Sequence, residues 1–296
     1  MANLKIDGLG VALITPFKED LFIDYEALGN IIEHIIKGGV DYIVVLGTTA
    51  ETPTLTLEEK NELAGFVNRK VNGRLPLVLG IGGNNTASVV NDILTRNLEG
   101  YSAILSVAPY YNKPTQEGLY LHFASIVEAS PLPILLYNVP GRTGVNLSPR
   151  TTLRLAALSD KFCGVKEASG DLTQAKEIID GAPSHFHVLS GNDSDTAALM
   201  KVGSSGVISV LANAFPEKMK KIVDLCKEGK FDEAMENQKK LNTLIGSLFE
   251  DGNPAGIKAM LHHLGMAENF LRLPLVPVSK NLESKIKKEI SLLTDG

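Results

Sequence analysis

The sequence predicts an α/β protein, a closed barrel of eight parallel strands with a helical extension at its C-terminal end. Three observations predict this fold class. Eight short apolar runs recur between residues 11 and 211, amphipathic helical patterns lie between them, and the pattern becomes wholly helical after residue 212. Eight strands alternating with helices is the composition of a (β/α)8, or TIM, barrel, and 296 residues are enough to build one.

The predicted strands are continuously apolar and rich in β-branched residues, rather than alternating in polarity. This pattern is typical of parallel strands that are buried on both faces. In chain order they span residues 11–17, 42–47, 75–82, 103–109, 133–140, 162–168, 187–191 and 206–211.

The predicted helices carry start signals. One begins after Thr56, and Glu59 three residues later completes a capping box. Two more cover residues 115–129 and 148–158, the second with Pro149 at an early position, where a helix needs no backbone N–H. After the last strand, helices are predicted over residues 216–228, 231–249, 254–264 and 282–293.

An open, doubly wound sheet is the competing fold for this alternation of strands and helices. Such a sheet would carry a glycine-rich dinucleotide turn after its first strand, and this chain has "LITPFKED" at that point. We therefore expect residues 1–225 to form the barrel and residues 226–296 to form a helical extension packed on it.

Composition excludes several classes of function. The formal net charge is −5, and the longest basic tract, "KMKK" at 218–221, fits a solvated helix face, so no nucleic-acid partner is predicted. No apolar run approaches the roughly 18 residues of a membrane span, and residues 1–10 show no hydrophobic signal core. We expect a cytoplasmic protein that binds no membrane.

Neither a metal nor a cofactor is predicted. The two cysteines, Cys163 and Cys226, have the spacing of neither a disulfide framework nor a metal site. "GSSG" at 203–206 resembles the phosphate loop of some barrels, but a turn before the eighth strand explains it equally well. The six histidines show no convergent ligand spacing: His34, His122, His185, His187, His262 and His263.

Polar residues collect where the predicted strands end. In a (β/α)8 barrel the chemistry lies at the C-terminal ends of the strands and in the loops that follow them. Those positions hold "GTTAE" (47–51), "PYYNKP" (109–114), "YNVPGRTG" (137–144), Lys166, "SGND" (190–193) and Ile208. This convergence is a stronger signal than any single motif.

Lys166 follows the apolar residues "FCGV" at the end of the sixth strand. One interpretation is a lysine that extends from the rim into water. The other is a nucleophile that forms a Schiff base with a carbonyl substrate, because apolar surroundings favour the neutral, reactive form of an amine. Strand alternation turns Glu167 away from Lys166, so Glu167 is not its obvious partner.

Other polar side chains fit chemistry around this amine. Tyr137 ends the neighbouring strand, where a phenol can relay protons, although a tyrosine packed at the rim is the default interpretation. Thr48 and Thr49 can hold a small carboxylate. Arg142 follows a "PG" turn on the same rim, and its guanidinium suits a carboxylate. Tyr110 and Tyr111 are adjacent and point apart, so at most one faces the site.

Seven motifs together resemble the pyruvate-dependent class I aldolase family, also called the N-acetylneuraminate lyase family. They cover nearly the whole chain in order: "GTTAETPTL", "PYYNKPTQEGLYLHF", "LYNVPGRTG", "GVKEASGD", "LSGND", "GVISV" and "NPAGIKAM…LRLPLVP". The resemblance implies a (β/α)8 barrel with a C-terminal helical extension, assembled as a homotetramer, a dimer of dimers.

The resemblance also implies roles for individual residues. Lys166 corresponds to the lysine that captures pyruvate, and Tyr137 to the proton donor and acceptor. Thr48 and Tyr111 correspond to the proton relay, with the tyrosine at the Tyr111 position lent by the adjacent subunit. Positions of the pyruvate site correspond to Thr49, Gly191 and Ile208.

The second substrate separates the branches of the family. The synthase branch carries an arginine two residues after the proline of "YNVPxRTG", which binds the carboxylate of L-aspartate 4-semialdehyde, and Arg142 occupies that position. The resemblance therefore implies condensation of pyruvate with the semialdehyde, the first committed step of diaminopimelate and lysine biosynthesis. The alternatives are an N-acetylneuraminate lyase, a 2-keto-3-deoxy sugar-acid aldolase, or an inactive barrel that senses keto acids. A sensor would not need both Lys166 and Tyr137.

Two further expectations follow from differences between this chain and the family. Many members have glycine where this chain has Ala50, which puts the geometry of the "GTTAE" loop in doubt. Members inhibited by lysine bind it with polar and acidic side chains, and the corresponding positions here are Lys60, Ser88 and Leu57. We expect feedback inhibition by lysine to be weak or absent, although Asn84 and Tyr110 are retained.

Overall fold

The computed structural model describes residues 6–294. Eight parallel strands form a closed barrel in which each strand pairs with the next and the eighth pairs with the first. The predicted (β/α)8 fold is therefore confirmed. The strands are β1 Gly8–Ala12, β2 Tyr42–Val45, β3 Leu77–Gly80, β4 Ala103–Val107, β5 Ile134–Asn138, β6 Phe162–Glu167, β7 His187–Ser190 and β8 Gly206–Ser209.

Helices connect the strands and continue after the last one. Between the strands lie α1 Tyr25–Lys37, α2 Leu57–Val71, α3 Thr86–Thr95, α4 Gln116–Ala129, α5 Pro140–Thr143, α6 Pro149–Leu158, α7 Leu172–Gly181 and α8 Thr196–Lys201. After β8 come α9 Pro216–Lys227, α10 Phe231–Ser247, α11 Ala255–His263 and α12 Lys280–Thr294.

The predicted position of the first strand is wrong by several residues. The apolar run suggests residues 11–17, whereas β1 spans Gly8–Ala12. Gly8 and Gly10 lie inside this strand, where neighbouring side chains leave no space for a Cβ. A Cβ on Gly10 would lie 2.3 Å from the ring of Tyr42, which is almost fully buried.

A separate cluster of apolar side chains fills the inside of the barrel. Its members come from alternate positions of the strands, as expected when successive side chains point to opposite faces. The members are Ile6, Ala12, Tyr42, Val44, Val78, Ala103, Leu105, Leu135, Tyr137, Val139, Cys163, Leu189 and Ile208. A larger cluster joins the outer faces of the strands to the helices.

A shift in register within β6 decides which way its last residues face. Pairing between β5 and β6 skips one residue at Cys163, which itself lies in the interior cluster. Strict alternation from Cys163 would turn Lys166 outward. Because of the extra residue, Lys166 instead pairs with Tyr137 and faces the same side of the sheet as that tyrosine.

The C-terminal helices pack against one another and against the barrel. Helix α12 contacts both α10 and α11, while α10 packs on α9 and α8. Helix α9 ends at Lys227, so the predicted domain boundary at residue 225 falls in its last turn. The division into two parts stays a prediction. Within residues 6–294, no helix combines the length and apolar character needed to cross a bilayer.

His122 makes the stability of this fold depend on pH. It is buried on α4, where Thr86 contacts its Nδ1 at 2.8 Å, and burial lowers its pKa to about 4. A histidine in the unfolded chain binds its proton near pH 6.5. Between these values the unfolded state holds more protons, so the folded state loses stability as pH falls from 6.5 towards 4.

We expect His122→Gln to remove this part of the pH dependence. For the natural protein it amounts to about 2–3 kcal/mol between pH 7 and 4.5. Denaturant unfolding of both proteins at these two pH values measures it. Equal losses of unfolding free energy in the two proteins would show that His122 does not carry this effect.

Candidate active site

Lys166 and Tyr137 lie side by side at the C-terminal ends of β6 and β5. The two residues are register partners, and the Lys166 Nζ lies 4.4 Å from the centroid of the Tyr137 ring. Both are buried, with 5% and 6% of their surfaces exposed. The structure therefore brings the predicted amine and phenol together in an apolar setting, rather than leaving the amine in water.

Asp193 places a buried carboxylate close to this pair. It accepts hydrogen bonds from the Ser209 hydroxyl and, at 3.0 and 3.3 Å, from the backbone N–H groups of Val210 and Leu211. Burial raises the pKa of Asp193, whereas these hydrogen bonds and the charge of Lys166 act in the opposite direction. Asp193 is thus close enough to interact electrostatically with the amine, a role that sequence analysis did not assign.

The loop after β2 forms two short 3-10 turns. The first, Thr48–Ala50, carries the predicted hydroxyls, and the second is Thr52–Thr54. Ala50 adopts no positive φ, so alanine fits where many relatives have glycine. The positive φ values fall instead on the flanking Leu46 (57°) and Glu51 (53°), neither of which is glycine. Strained backbone of this kind is concentrated at functional sites.

Asn253, from the segment before α11, reaches the same loop. Its Nδ2 donates to the Thr49 hydroxyl at 3.1 Å, and its backbone oxygen accepts from the Arg142 guanidinium at 3.4 Å. The Asn253 Oδ1 is buried and has no hydrogen-bond partner. A C-terminal residue therefore connects two predicted substrate-binding side chains. Asn253 begins the motif "NPAGIKAM", but sequence analysis assigned it no role in the site.

Arg142 lies on α5, the single helical turn that follows β5. It lines the same cavity as Thr48 and Tyr137, which has a volume of about 330 Å³. Among residues 6–294, no carboxylate forms an ion pair with Arg142, in contrast to Arg74 and Arg154. Its guanidinium is thus available to a carboxylate of a ligand in the cavity.

The two adjacent tyrosines after β4 occupy different surroundings. Tyr110 lines the cavity, and its backbone oxygen accepts from the Asn84 side chain at 3.2 Å. Tyr111 is 85% exposed and has a φ of 75°. The structure of one chain therefore does not bring Tyr111 to the site that contains Lys166.

Gly191 and Ile208 shape the site rather than supply polar side chains. A Cβ on Gly191 would lie 2.5 Å from the Cβ of Ala168, so only glycine allows the chain after β7 to approach β6 this closely. The Gly191 N–H donates to the Glu167 carbonyl at 2.7 Å. Ile208 is fully buried in the barrel-interior cluster that also includes Tyr137.

Glu167 holds the strand ends in place from the outer side. Its carboxylate accepts from Asn138 Nδ2 at 3.0 Å, from Gln174 Nε2 at 3.0 Å and from the Ser169 backbone N–H at 2.7 Å. Asn138 and Glu167 directly follow the phenol and the amine in the chain. These hydrogen bonds therefore fix the directions of Tyr137 and Lys166 and explain how a buried carboxylate is tolerated without a cation.

Taken together, these residues can perform carbonyl chemistry. The site offers a buried amine, a phenol beside it, threonine hydroxyls and a guanidinium that forms no ion pair among residues 6–294. Residues 6–294 contain no group of three histidine, cysteine, aspartate or glutamate side chains placed to hold a metal ion.

Comparison with known proteins identifies the family. The model of the dihydrodipicolinate synthetase family matches residues 5–293. The chain belongs to this family. A curated relative from Parabacteroides distasonis, a 4-hydroxy-tetrahydrodipicolinate synthase, is 53% identical over 294 residues, which are 99% of each chain. This agrees with the family that the sequence motifs indicate.

Solved structures of the family have the same fold. The dihydrodipicolinate synthase from Aquifex aeolicus is 40% identical and superposes with a TM-score of 0.94 over 98% of each chain. Another, 38% identical, has a TM-score of 0.94 over 96% of each chain and is described as the first monomeric dihydrodipicolinate synthase variant. The barrel and its C-terminal helices are thus the fold of this family.

Part of the cavity wall is relevant to whether free lysine inhibits this protein. Lys60 and Arg96 line it together with one carboxylate, Asp92. Burial lowers the pKa of Lys60, with Arg96 acting in the same direction and Asp92 in the opposite one. Ser88 and Leu57 are both exposed.

We expect free L-lysine to inhibit this protein weakly or not at all. Lys60 would repel the ammonium of the ligand, and two like charges about 4 Å apart cost on the order of 1–4 kcal/mol. Titration of L-lysine into a steady-state assay at saturating pyruvate measures the effect. Clear inhibition at submillimolar lysine would contradict this interpretation of the pocket.

Proposed function

We propose that this protein is a 4-hydroxy-tetrahydrodipicolinate synthase, a lyase of the class I aldolase type. It condenses pyruvate with L-aspartate 4-semialdehyde in the first committed step of diaminopimelate and lysine biosynthesis. The observation that carries the proposal is the pairing of Lys166 with Tyr137, 4.4 Å from Nζ to ring centroid. Tyr137 in turn lines a cavity that Arg142 and Thr48 also line.

The chemistry begins with pyruvate. The neutral amine of Lys166 attacks the ketone carbon, and the carbinolamine loses water to form an imine. Tyr137 supplies the proton that the departing hydroxyl needs and accepts protons in the following steps. Thr48 extends this relay, and Thr49, Gly191 and Ile208 form the binding site for pyruvate.

Carbon–carbon bond formation follows. Loss of a proton from the methyl group converts the imine into an enamine, whose carbon attacks the aldehyde of the semialdehyde. Arg142 binds the semialdehyde carboxylate and places the aldehyde at the enamine. The amino group of the semialdehyde then attacks the imine carbon, which closes the ring, frees Lys166 and yields 4-hydroxy-tetrahydrodipicolinate.

A coupled assay tests this function. Purified protein should turn over pyruvate with aspartate semialdehyde, and it should show no more than trace activity with pyruvate and N-acetylmannosamine. Aspartate semialdehyde carries a carboxylate that the Arg142 guanidinium can bind, whereas N-acetylmannosamine is neutral. Arg142 therefore favours the semialdehyde as the acceptor. Preferred turnover of the sugar would instead indicate the lyase branch of the aldolases.

The same proposal includes assembly into a homotetramer, a dimer of dimers, that works in the cytoplasm without a cofactor. The exposed Tyr111, with its positive φ, supports a role across a subunit interface, because its ring lies outside the site of its own chain. In this arrangement Tyr111 completes the proton relay of the neighbouring subunit, together with Thr48 and Tyr137.

We therefore expect two inactive variants to complement each other. Tyr111→Phe and Lys166→Ala should each be nearly inactive alone. Mixed and reassembled, they should regain part of the activity, because one site of a mixed dimer then receives an intact lysine and an intact tyrosine. Mixed oligomers as inactive as their parents would show that Tyr111 acts within its own chain.

A further inference from the structure

The loop that carries Thr48 and Thr49 is held by a buried ion pair from the C-terminal extension. Glu51, one residue after the first 3-10 turn, forms the pair with Lys258 of α11. Their side chains are both 0% exposed. A buried pair of this kind is costly to form, and it becomes far more costly when one partner is removed, because an uncompensated charge then stays buried.

Glu51 also adopts an unusual backbone conformation. Its φ is 53°, in the left-handed region that a glutamate rarely occupies, and it separates the turns Thr48–Ala50 and Thr52–Thr54. Such a conformation persists only where the surrounding structure fixes it. Besides Lys258, the backbone N–H of Arg272 donates to Glu51 Oε2 at 3.1 Å. Both contacts come from the C-terminal extension.

Lys258 is equally fixed on its own side. Its Nζ donates to the Phe270 carbonyl at 2.9 Å and lies 4.1 Å from the centroid of the Phe17 ring. Burial lowers the pKa of Lys258 to about 8, with Glu51 acting in the opposite direction. The amine is fully buried and is held by Glu51, the Phe270 carbonyl and the Phe17 ring, so we assign it no role as a second nucleophile.

We propose that Glu51 and Lys258 are positioning residues for the synthase reaction, which set the geometry of the Thr48–Ala50 turn. This inference rests on the proposed function. In the proposed mechanism Thr48 relays protons and Thr49 binds pyruvate. The ion pair of Glu51 and Lys258 should therefore affect pyruvate binding and imine formation. It should act much less on the semialdehyde, whose carboxylate binds Arg142 on a different element, α5.

The test compares four variants of the full-length protein: two single variants of the ion pair, the double variant and a control. Lys258→Met removes the charge with little change in length, and Glu51→Gln keeps the shape and an acceptor for the Arg272 N–H. The control is Ile286→Ala, which opens a cavity in α12, where Ile286 is fully buried, away from the loop. The measurements on each protein are kcat, the KM of both substrates, the rate of imine trapping by borohydride and the midpoint of thermal unfolding.

We expect Lys258→Met to raise the KM for pyruvate about tenfold or more and to slow imine trapping, with the KM for the semialdehyde within about twofold. The double variant Glu51→Gln/Lys258→Met should recover part of this loss, since it leaves no unpaired charge. Ile286→Ala should lower the unfolding midpoint and leave both KM values unchanged.

Two results would overturn the proposal. One is an unchanged KM for pyruvate in a folded Lys258→Met protein or, if that variant does not fold, in Glu51→Gln. The other is an equal rise in the KM of Ile286→Ala at a similar loss of thermal stability. A natural protein without synthase activity would instead refute the proposed function, so the two failures are distinguishable.

Discussion

Replacement of Lys166 by alanine is expected to lower synthase turnover by roughly 10⁴-fold or more, the scale of removing the nucleophile of a covalent enzyme. No other lysine lies beside Tyr137 among the described residues, so no neighbouring amine can form the imine. Lys166→Arg should be as inactive, because a guanidinium keeps the charge and does not attack a ketone at neutral pH.

Lys161 provides a matched control for this prediction. It directly precedes β6, at the opposite end of the barrel, and its Nζ donates to the Ser130 carbonyl at 2.8 Å. Turnover by Lys161→Ala should stay within about twofold of that of the natural protein, because Lys161 and the site lie at opposite ends of β6. Substantial turnover by Lys166→Ala in steady-state kinetics would refute the role of Lys166.

Loss of the Arg142 guanidinium is the second large effect. We expect Arg142→Ala to cost roughly 2–4 kcal/mol in kcat/KM for the semialdehyde. This is the range for removing one partner of a charge pair that becomes buried, as we expect when the semialdehyde occupies the cavity beside the exposed Arg142. The reason is that the carboxylate of the acceptor would enter the cavity without its cation. Imine formation with pyruvate should survive, because Lys166 and Tyr137 lie on other elements, β6 and β5.

An exposed arginine serves as the control for Arg142. Arg154 pairs with Glu117 at 2.9 Å on the helical surface of the barrel. Arg154→Ala should leave the kinetics of both substrates unchanged. If Arg142→Ala kept its kcat/KM for the semialdehyde, the preference for this acceptor over a neutral sugar would lose its main support.

Sequence patterns predicted the barrel because its causes are local and repeated. Each strand is a short apolar run, and six of the helices begin with a side-chain cap, namely α1, α2, α3, α4, α6 and α7. In this fold the polar residues of the site follow the strand ends. The capping box at Thr56 and Glu59 is present as predicted, with both reciprocal hydrogen bonds formed. The first strand was misplaced because its glycines meet contacts from other elements: Gly10 makes room for Tyr42 of β2, and Gly8 makes room for Asp41.

Local sequence patterns could not predict which residues surround the predicted site residues. Lys166 faces the barrel interior only because the pairing register shifts at Cys163. Strict alternation along the strand from Cys163 would have placed it on the outer face. Asn253 and Lys258 meet the loop after β2 from positions some two hundred residues later in the chain. Pairings over such distances depend on how the extension packs, and a single sequence contains no periodic signal for them.

The central claim is that Lys166 forms an imine with pyruvate, and borohydride trapping tests it most directly. The protein is incubated with pyruvate, reduced, digested and mapped by mass spectrometry. We expect one stable pyruvate-derived adduct on the peptide containing Lys166, formed with loss of synthase activity and absent without pyruvate. An adduct on another lysine, or no adduct in an active protein, would contradict the account.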